Sequence, residues 1–307
     1  MSRPGLRSLL VVISVLLCAG VVACGGSEKK GPDARKVLDQ TFGKKAPAPA
    51  RGRVVGTFAV DASGLPALGK RTAIRLGGPY AARSGAKLPR FDFTFALASG
   101  GDRLKGQAIS SGDRGFLKLG GRTYVVEGQI FSVLADEYAR AQGERPQGRR
   151  GGPTVTSFGV DPRDWMTHPV VRGTQRVGGV PATHVVAGID VGGLIVDVNQ
   201  LLGQADVLSA VLPGLTPQPI TARTRKQVLD AVRSAKAEVW TGVKDHVMRR
   251  LRVAVRFKPG GSSRRPGRLN FDLRVSQVGA PQHIPTPSGG LPLSRLLESP
   301  PDLPGGG

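Results

Sequence analysis

The sequence predicts an α+β fold in which one curved antiparallel sheet carries helices on its apolar face. Three observations predict it. Apolar and polar residues alternate at period two in several separate stretches, as strands with one buried face require. Glycine- or proline-bearing turns join neighbouring stretches, as in antiparallel hairpins. Helical spacing is confined to a few segments inserted between strands. Covering the apolar face of the sheet with those helices buries both partners.

In chain order, the first alternation sets Val54, Gly56, Phe58 and Val60 against Val55, Thr57 and Ala59. Residues 91–97, Phe-Asp-Phe-Thr-Phe-Ala-Leu, alternate strictly and read as a half-buried strand. Residues 116–126 give two short strands around Gly120-Gly121, and 180–189 follow the turn Gly178-Gly179. Leu251, Val253, Val255 and Phe257 alternate with Arg250, Arg252, Ala254 and Arg256. Leu269, Phe271, Leu273 and Val275 alternate with Asn270, Asp272, Arg274 and Ser276. The segment 259–267 makes this last pair a long hairpin. One face of the sheet is therefore basic and wet, and the other aliphatic.

Helical spacing groups Ile130, Phe131, Leu134, Tyr138 and Ala141, and then Leu194, Val198, Leu201 and Leu202 around Asp197. A short apolar turn holds Val207, Leu208, Val211 and Leu212, and 224–237 reads as a helix through Val228, Leu229 and Val232. Asp161-Pro162-Arg163-Asp164-Trp165 has the form of a helix start, with Asp161 as N-cap and Pro162 at the first helical position.

The chain has 307 residues, enough for a substantial core, with 44 glycines and 24 prolines. It carries 44 Lys and Arg against 22 Asp and Glu, a formal charge of +22. Both cysteines, Cys18 and Cys24, fall within the first 25 residues. Whatever folds beyond them has no disulfide, thiol nucleophile or cysteine metal site. Arg3 and Arg7 precede the apolar run 9–17, which is too short for the roughly 20 residues that a membrane span needs. It ends in Val21-Val22-Ala23-Cys24-Gly25-Gly26, which resembles the bacterial lipobox. That match implies transfer of a diacylglyceryl group to the Cys24 thiol and cleavage before it. Two acyl chains anchor a protein stably where one does not. Residues 1–23 are thus expected to be a signal peptide and 24–50 a tether in which 34–42 has helical character. The proline-rich 280–307 are expected to form a disordered tail.

No nucleophile elbow, phosphate-binding loop or dinucleotide fingerprint is present. His168, His184, His246 and His283 are scattered without metal-ligand spacing, and His184 reads as a packed strand residue. The sequence therefore predicts no catalytic residues, no metal and no cofactor. Basic pairs at Arg149-Arg150, Arg249-Arg250 and Arg264-Arg265 suit anionic headgroups, at about 1 kcal/mol per residue near a membrane surface. Few aromatics and no binding motif argue against nucleic acid.

Four stretches, in this order, resemble the actinobacterial LppX/LprG lipoprotein family, related in fold to LolA-type lipid carriers. They are Gly77-Gly78-Pro79-Tyr80 with 88–93, 111–124, Val180-Pro181-Ala182-Thr183-His184-Val185, and 237–242 running into 248–257. The resemblance implies a half-barrel sheet over 51–279 with helices on its concave face. It also implies an acyl-lined cavity and carriage of a membrane lipid or lipoglycan at the extracytoplasmic face of the cell membrane. Candidate lining residues are Phe93, Phe95, Ile130, Leu134, Leu194 and Val253, with Cys24 as the lipidation site. A second reading keeps the scaffold but makes it a non-transporting surface module that senses the envelope or docks a protein.

Overall fold

A computed structural model describes residues 32–61, 71–83, 88–99, 102–143, 160–204, 220–258 and 266–298. The strands are β1 (Arg51–Asp61), β2 (Thr72–Ala81), β3 (Arg90–Ser99), β4 (Asp102–Ser110), β5 (Gly115–Leu119) and β6 (Arg122–Val126). They continue with β7 (Met166–Val177), β8 (Val180–Ile189), β9 (Val232–Gly242), β10 (Met248–Phe257), β11 (Arg268–Ser276) and β12 (Leu291–Pro292). The helices are α1 (Ala34–Phe42), α2 (Gly128–Gly143), α3 (Pro162–Trp165), α4 (Val191–Gln204), α5 (Ala222–Ala231) and α6 (Ser294–Glu298).

Among the described residues, twelve strands form one open, curved sheet in the order β12-β6-β5-β4-β3-β2-β1-β11-β10-β9-β8-β7. Every pairing is antiparallel except β12 with β6. The register draws one row across ten strands: Val171, Val185, Val239, Leu251, Leu273, Gly56, Leu76, Phe95, Gly106 and Leu119. Because side chains alternate across a strand, this row marks one face throughout. Gly106 belongs to it because a Cβ there would run into the Phe95 ring and the Leu119 side chain.

Helices cover this face at its two ends. At the β7–β11 end, α1, α3, α4 and α5 contribute Leu38, Trp165, Ile195 and Val228 to a core with Val185, Val239, Leu251, Val253 and Phe257. At the other end, Leu293 and Leu296 pack on Leu117, Leu119 and Tyr124, with Phe95, Leu104 and Ile130 beside them. The helices are pinned by polar ties. Trp165 Nε1 donates to Asp197 Oδ2 at 3.1 Å, holding α3 to α4. Arg163 bridges Asp161 and Asp39, holding α3 to α1. Asp161 caps α3 by accepting from the Arg163 backbone N–H, with Pro162 beginning the helix, as its sequence predicts.

Three expectations need correction. The helix read over 224–237 ends at Ala231, and β9 begins at Val232. Ala237, Val239 and Thr241 are buried at period two, and β9 is paired on both sides by β8 and β10. That pairing outweighs the helical spacing of a few upstream apolar residues. The range assigned to a tether contains α1, whose Val37, Leu38 and Phe42 are core residues. Within the range assigned to a disordered tail, 280–298 are ordered against the sheet, with Ile284, Leu293 and Leu296 buried. Leu293 and Leu296 fall at positions that reach the β5–β6 end. Cys24, the apolar turn at 207–212 and the basic pairs Arg149-Arg150 and Arg264-Arg265 lie outside the described residues.

Candidate functional site

The face that carries the helices is apolar across its whole width, but its middle is uncovered. Between the two core clusters run Phe58, Ile74 and Leu97, and beside them Leu76. Phe58 and Leu97 are half-buried, whereas Ile74 and Leu76 are each 42% exposed. In β11, Leu269, Phe271 and Leu273 border this stripe on one side and are only partly buried. Phe95 and Leu104 border it on the other. Leaving such a stripe in water is unfavourable by about 25 cal/mol per Å² of apolar surface.

The strands place these residues by pairing. β1 and β2 set Phe58 opposite Ile74 and Gly56 opposite Leu76. β2 reaches its neighbours closely through Gly78, where a Cβ would collide with the Asp92 carbonyl.

The structure places four of the six predicted lining residues with the two core clusters at the ends of this face. Val253 is buried in β10, and Leu194 packs against the same core from α4. Phe95 and Ile130 come together at the β4–β6 end. Phe93 is half-buried in β3 and stacks on Phe91 with ring centroids 4.7 Å apart, and Leu134 is half-buried on α2. Sequence reasoning missed Ile74 and Leu76. Their alternation with Ala73 and Arg75 is a usable signal, but it is short and runs directly into Gly77-Gly78-Pro79.

On the opposite face, strands β8–β11 carry polar, cross-linked side chains. His184 stacks on Trp240 with centroids 4.4 Å apart and an interplanar angle of 3°. From the strand on the other side, the Arg250 guanidinium lies 5.0 Å from the Trp240 ring. His184 Nε2 lies 3.0 Å from Glu238 Oε2, so this histidine is a packed, partnered strand residue. Arg250 and Arg274 both bond Asp272. Burial alone raises the Asp272 pKa, but hydrogen bonds and charge from the two arginines outweigh it and hold the carboxyl below its ordinary range.

Elsewhere, burial pushes the Tyr80 hydroxyl up to about 12, against an opposing pull from Arg249. Burial also raises Asp197 on α4. Among the described residues no three His, Cys, Asp or Glu side chains are grouped to hold a metal ion. No described helix is long and apolar enough to cross a membrane.

No protein-family model matches the chain, and neither does any curated protein. Among solved structures, the chain is similar to LprF from Mycobacterium bovis, with 13% identity and a TM-score of 0.37, covering 83% of this chain and 97% of that one. It is similar to the lipoprotein LppX of Mycobacterium tuberculosis, with 13% identity and a TM-score of 0.34, covering 77% and 90%. A DUF1329 family protein from Desulfovibrio piger also aligns, with 10% identity and a TM-score of 0.21, over 80% and 90%.

Proposed function

We propose that this chain is a lipoprotein held at the extracytoplasmic face of the cell membrane by acyl chains on Cys24. The helix-bearing face of its sheet binds the acyl chains of a membrane lipid or lipoglycan, as a carrier or chaperone and not as an enzyme. The observation that carries this reading is the exposed stripe at Ile74 and Leu76 between two covered apolar ends. An alkyl chain laid along it meets Phe58 and Leu97 and the flanking Phe95 and Phe271.

Each methylene buried there contributes about 0.8 kcal/mol, which offsets its departure from the bilayer. The residues along this row carry no charge, so the stripe favours hydrocarbon over a polar group. Of the other predicted lining residues, Leu194 and Val253 belong to the covered core at one end of it, and Ile130 to the cluster at the other.

The test is organic extraction and mass spectrometry of the protein purified from its own membranes. A long-chain lipid in near-stoichiometric amount is expected, and it is lost when Leu76→Asp places a carboxylate in the stripe. Lipid-free protein, or equal lipid in the variant, overturns the reading. Anchoring is tested separately: Cys24→Ala should move the protein from the membrane to the soluble fraction.

A further inference from the structure

The face turned away from the helices holds a groove of about 790 Å³. Val177, Gly178 and Val180 at the β7–β8 turn form one side of it. Val55 and Thr57 of β1, Arg75 of β2, and Asp272, Arg274 and Ser276 of β11 form the other. The hairpin bends over this face: Gln175 of β7 accepts a 2.8 Å hydrogen bond from Trp240 Nε1, two strands away.

Arg249 also lines the groove, and its position needs explanation. Met248 pairs with Thr241 and Arg250 with Trp240, so Arg249 is the extra residue of a β-bulge. Bulges re-aim side chains. The Arg249 side chain is only 7% exposed. Its Nη2 bonds Asp245, while its buried Nε has no hydrogen-bond partner. Buried guanidinium groups are ordinarily satisfied in full, so this one, although ion-paired, keeps an unmet donor.

The other charges around the groove do not complete it. Asp272 is already shared by Arg250 and Arg274. Arg75 makes no ion pair among the described residues, and Asp245 pairs with Arg249 alone. Cations therefore exceed anions around this groove, beside the hydroxyls of Thr57 and Ser276 and a wall of valines.

We propose that this groove is a binding site for a phosphate group, with Arg75, Arg249 and Arg274 meeting its oxygens. Guanidinium forks match phosphate geometry, and a partly desolvated site strengthens the contact. Val55, Val177 and Val180 receive an apolar group next to the phosphate. The site lies on the opposite face from the acyl stripe and stands whether or not that stripe binds lipid.

Two probes separate the sources of the phosphate: inorganic phosphate, and vesicles of phosphatidylcholine with or without phosphatidylglycerol. The full chain carrying Cys24→Ala is titrated with each, so that no acyl anchor contributes to vesicle binding. Saturable binding of inorganic phosphate assigns a soluble phosphate ligand; binding only to phosphatidylglycerol vesicles assigns a lipid head group. In either case Arg75→Ala with Arg274→Ala should weaken binding at least about tenfold. Removing the Arg249 charge would strand Asp245, so Arg249→Lys, which keeps the charge and loses the fork, is the third variant and should also weaken binding. Arg122→Ala, in the β5–β6 hairpin, should leave it unchanged. Failure of both probes to bind saturably, or an equal loss with Arg122→Ala, overturns the site.

Discussion

The hydroxyl oxygens of Thr41 and Thr241 lie 2.7 Å apart, joining α1 to β9 across 200 residues of sequence. Thr41 gives its single proton to the Val37 carbonyl at 2.7 Å, so Thr241 is the donor between the two. Both groups are buried. Replacing either threonine alone with valine should cost about 1–3 kcal/mol, because a buried polar partner is left unmet. The double variant should cost clearly less than the sum of the singles. Urea unfolding of the three variants checks this, and strict additivity would show that the pair is not coupled.

The acyl stripe makes a prediction that separates function from folding. Leu76 is a large apolar side chain in a half-exposed position, so Leu76→Asp should change stability by less than about 1 kcal/mol. Binding of a fluorescent fatty-acyl probe should fall by about tenfold or more, from desolvation of the new carboxylate. Leu229→Asp on α5, at a comparably exposed site outside the stripe, should leave probe binding unchanged. Equal losses in both variants would detach acyl binding from this face.

Strands with strict alternation were legible from the sequence. The hairpin of β10 and β11 pairs Leu251 with Leu273 and Val253 with Phe271, as the two patterns require. β5 and β6 flank Gly120-Gly121 as expected. Other strands were hidden for physical reasons. β7 carries Pro169 and Gly173 and has no clean alternation; it lies at the sheet edge, where one missing donor and two register shifts are tolerated. β4 is mostly polar and depends on Leu104 and Ile109 to mark its faces. At the candidate site, apolar helix and strand positions were readable, but coverage was not. Whether Phe95 or Ile74 ends beneath another element depends on contacts across the sheet, which single-strand periodicity does not encode.

Asp272 gives a pH dependence with a definite sign. Its pKa is held below the ordinary value in the folded state, so it favours folding at pH above the unfolded value of about 3.9. That contribution is lost as pH falls through the lower folded value. Wild-type protein should therefore lose stability on acidification below about pH 4. Asp272→Asn should be less stable at neutral pH and show a shallower acid limb in this window. Urea midpoints measured across the acid range test it; parallel curves for the two proteins would mean that the arginine pairing does not stabilise the fold.

The C-terminal segment offers the plainest check on how this sheet is closed. Composition assigns 280–307 to a disordered tail, yet Leu293 is 1% exposed and packs with Leu296 against Leu117, Leu119 and Tyr124. β12 pairs in parallel with β6, placing Leu291 opposite Tyr124, and the Leu293 backbone N–H donates to the Val125 carbonyl at 3.0 Å. The Glu127 carboxylate accepts from the Ser294 backbone N–H at 3.0 Å, which fixes the start of α6. A surface tail would tolerate Leu293→Ala without effect. A core leucine should lose about 2–5 kcal/mol, through lost burial and the cavity left behind. Thermal or urea unfolding distinguishes the two, and hydrogen exchange should show the loss of protection concentrated in β5 and β6, because those strands lie beneath the removed side chain.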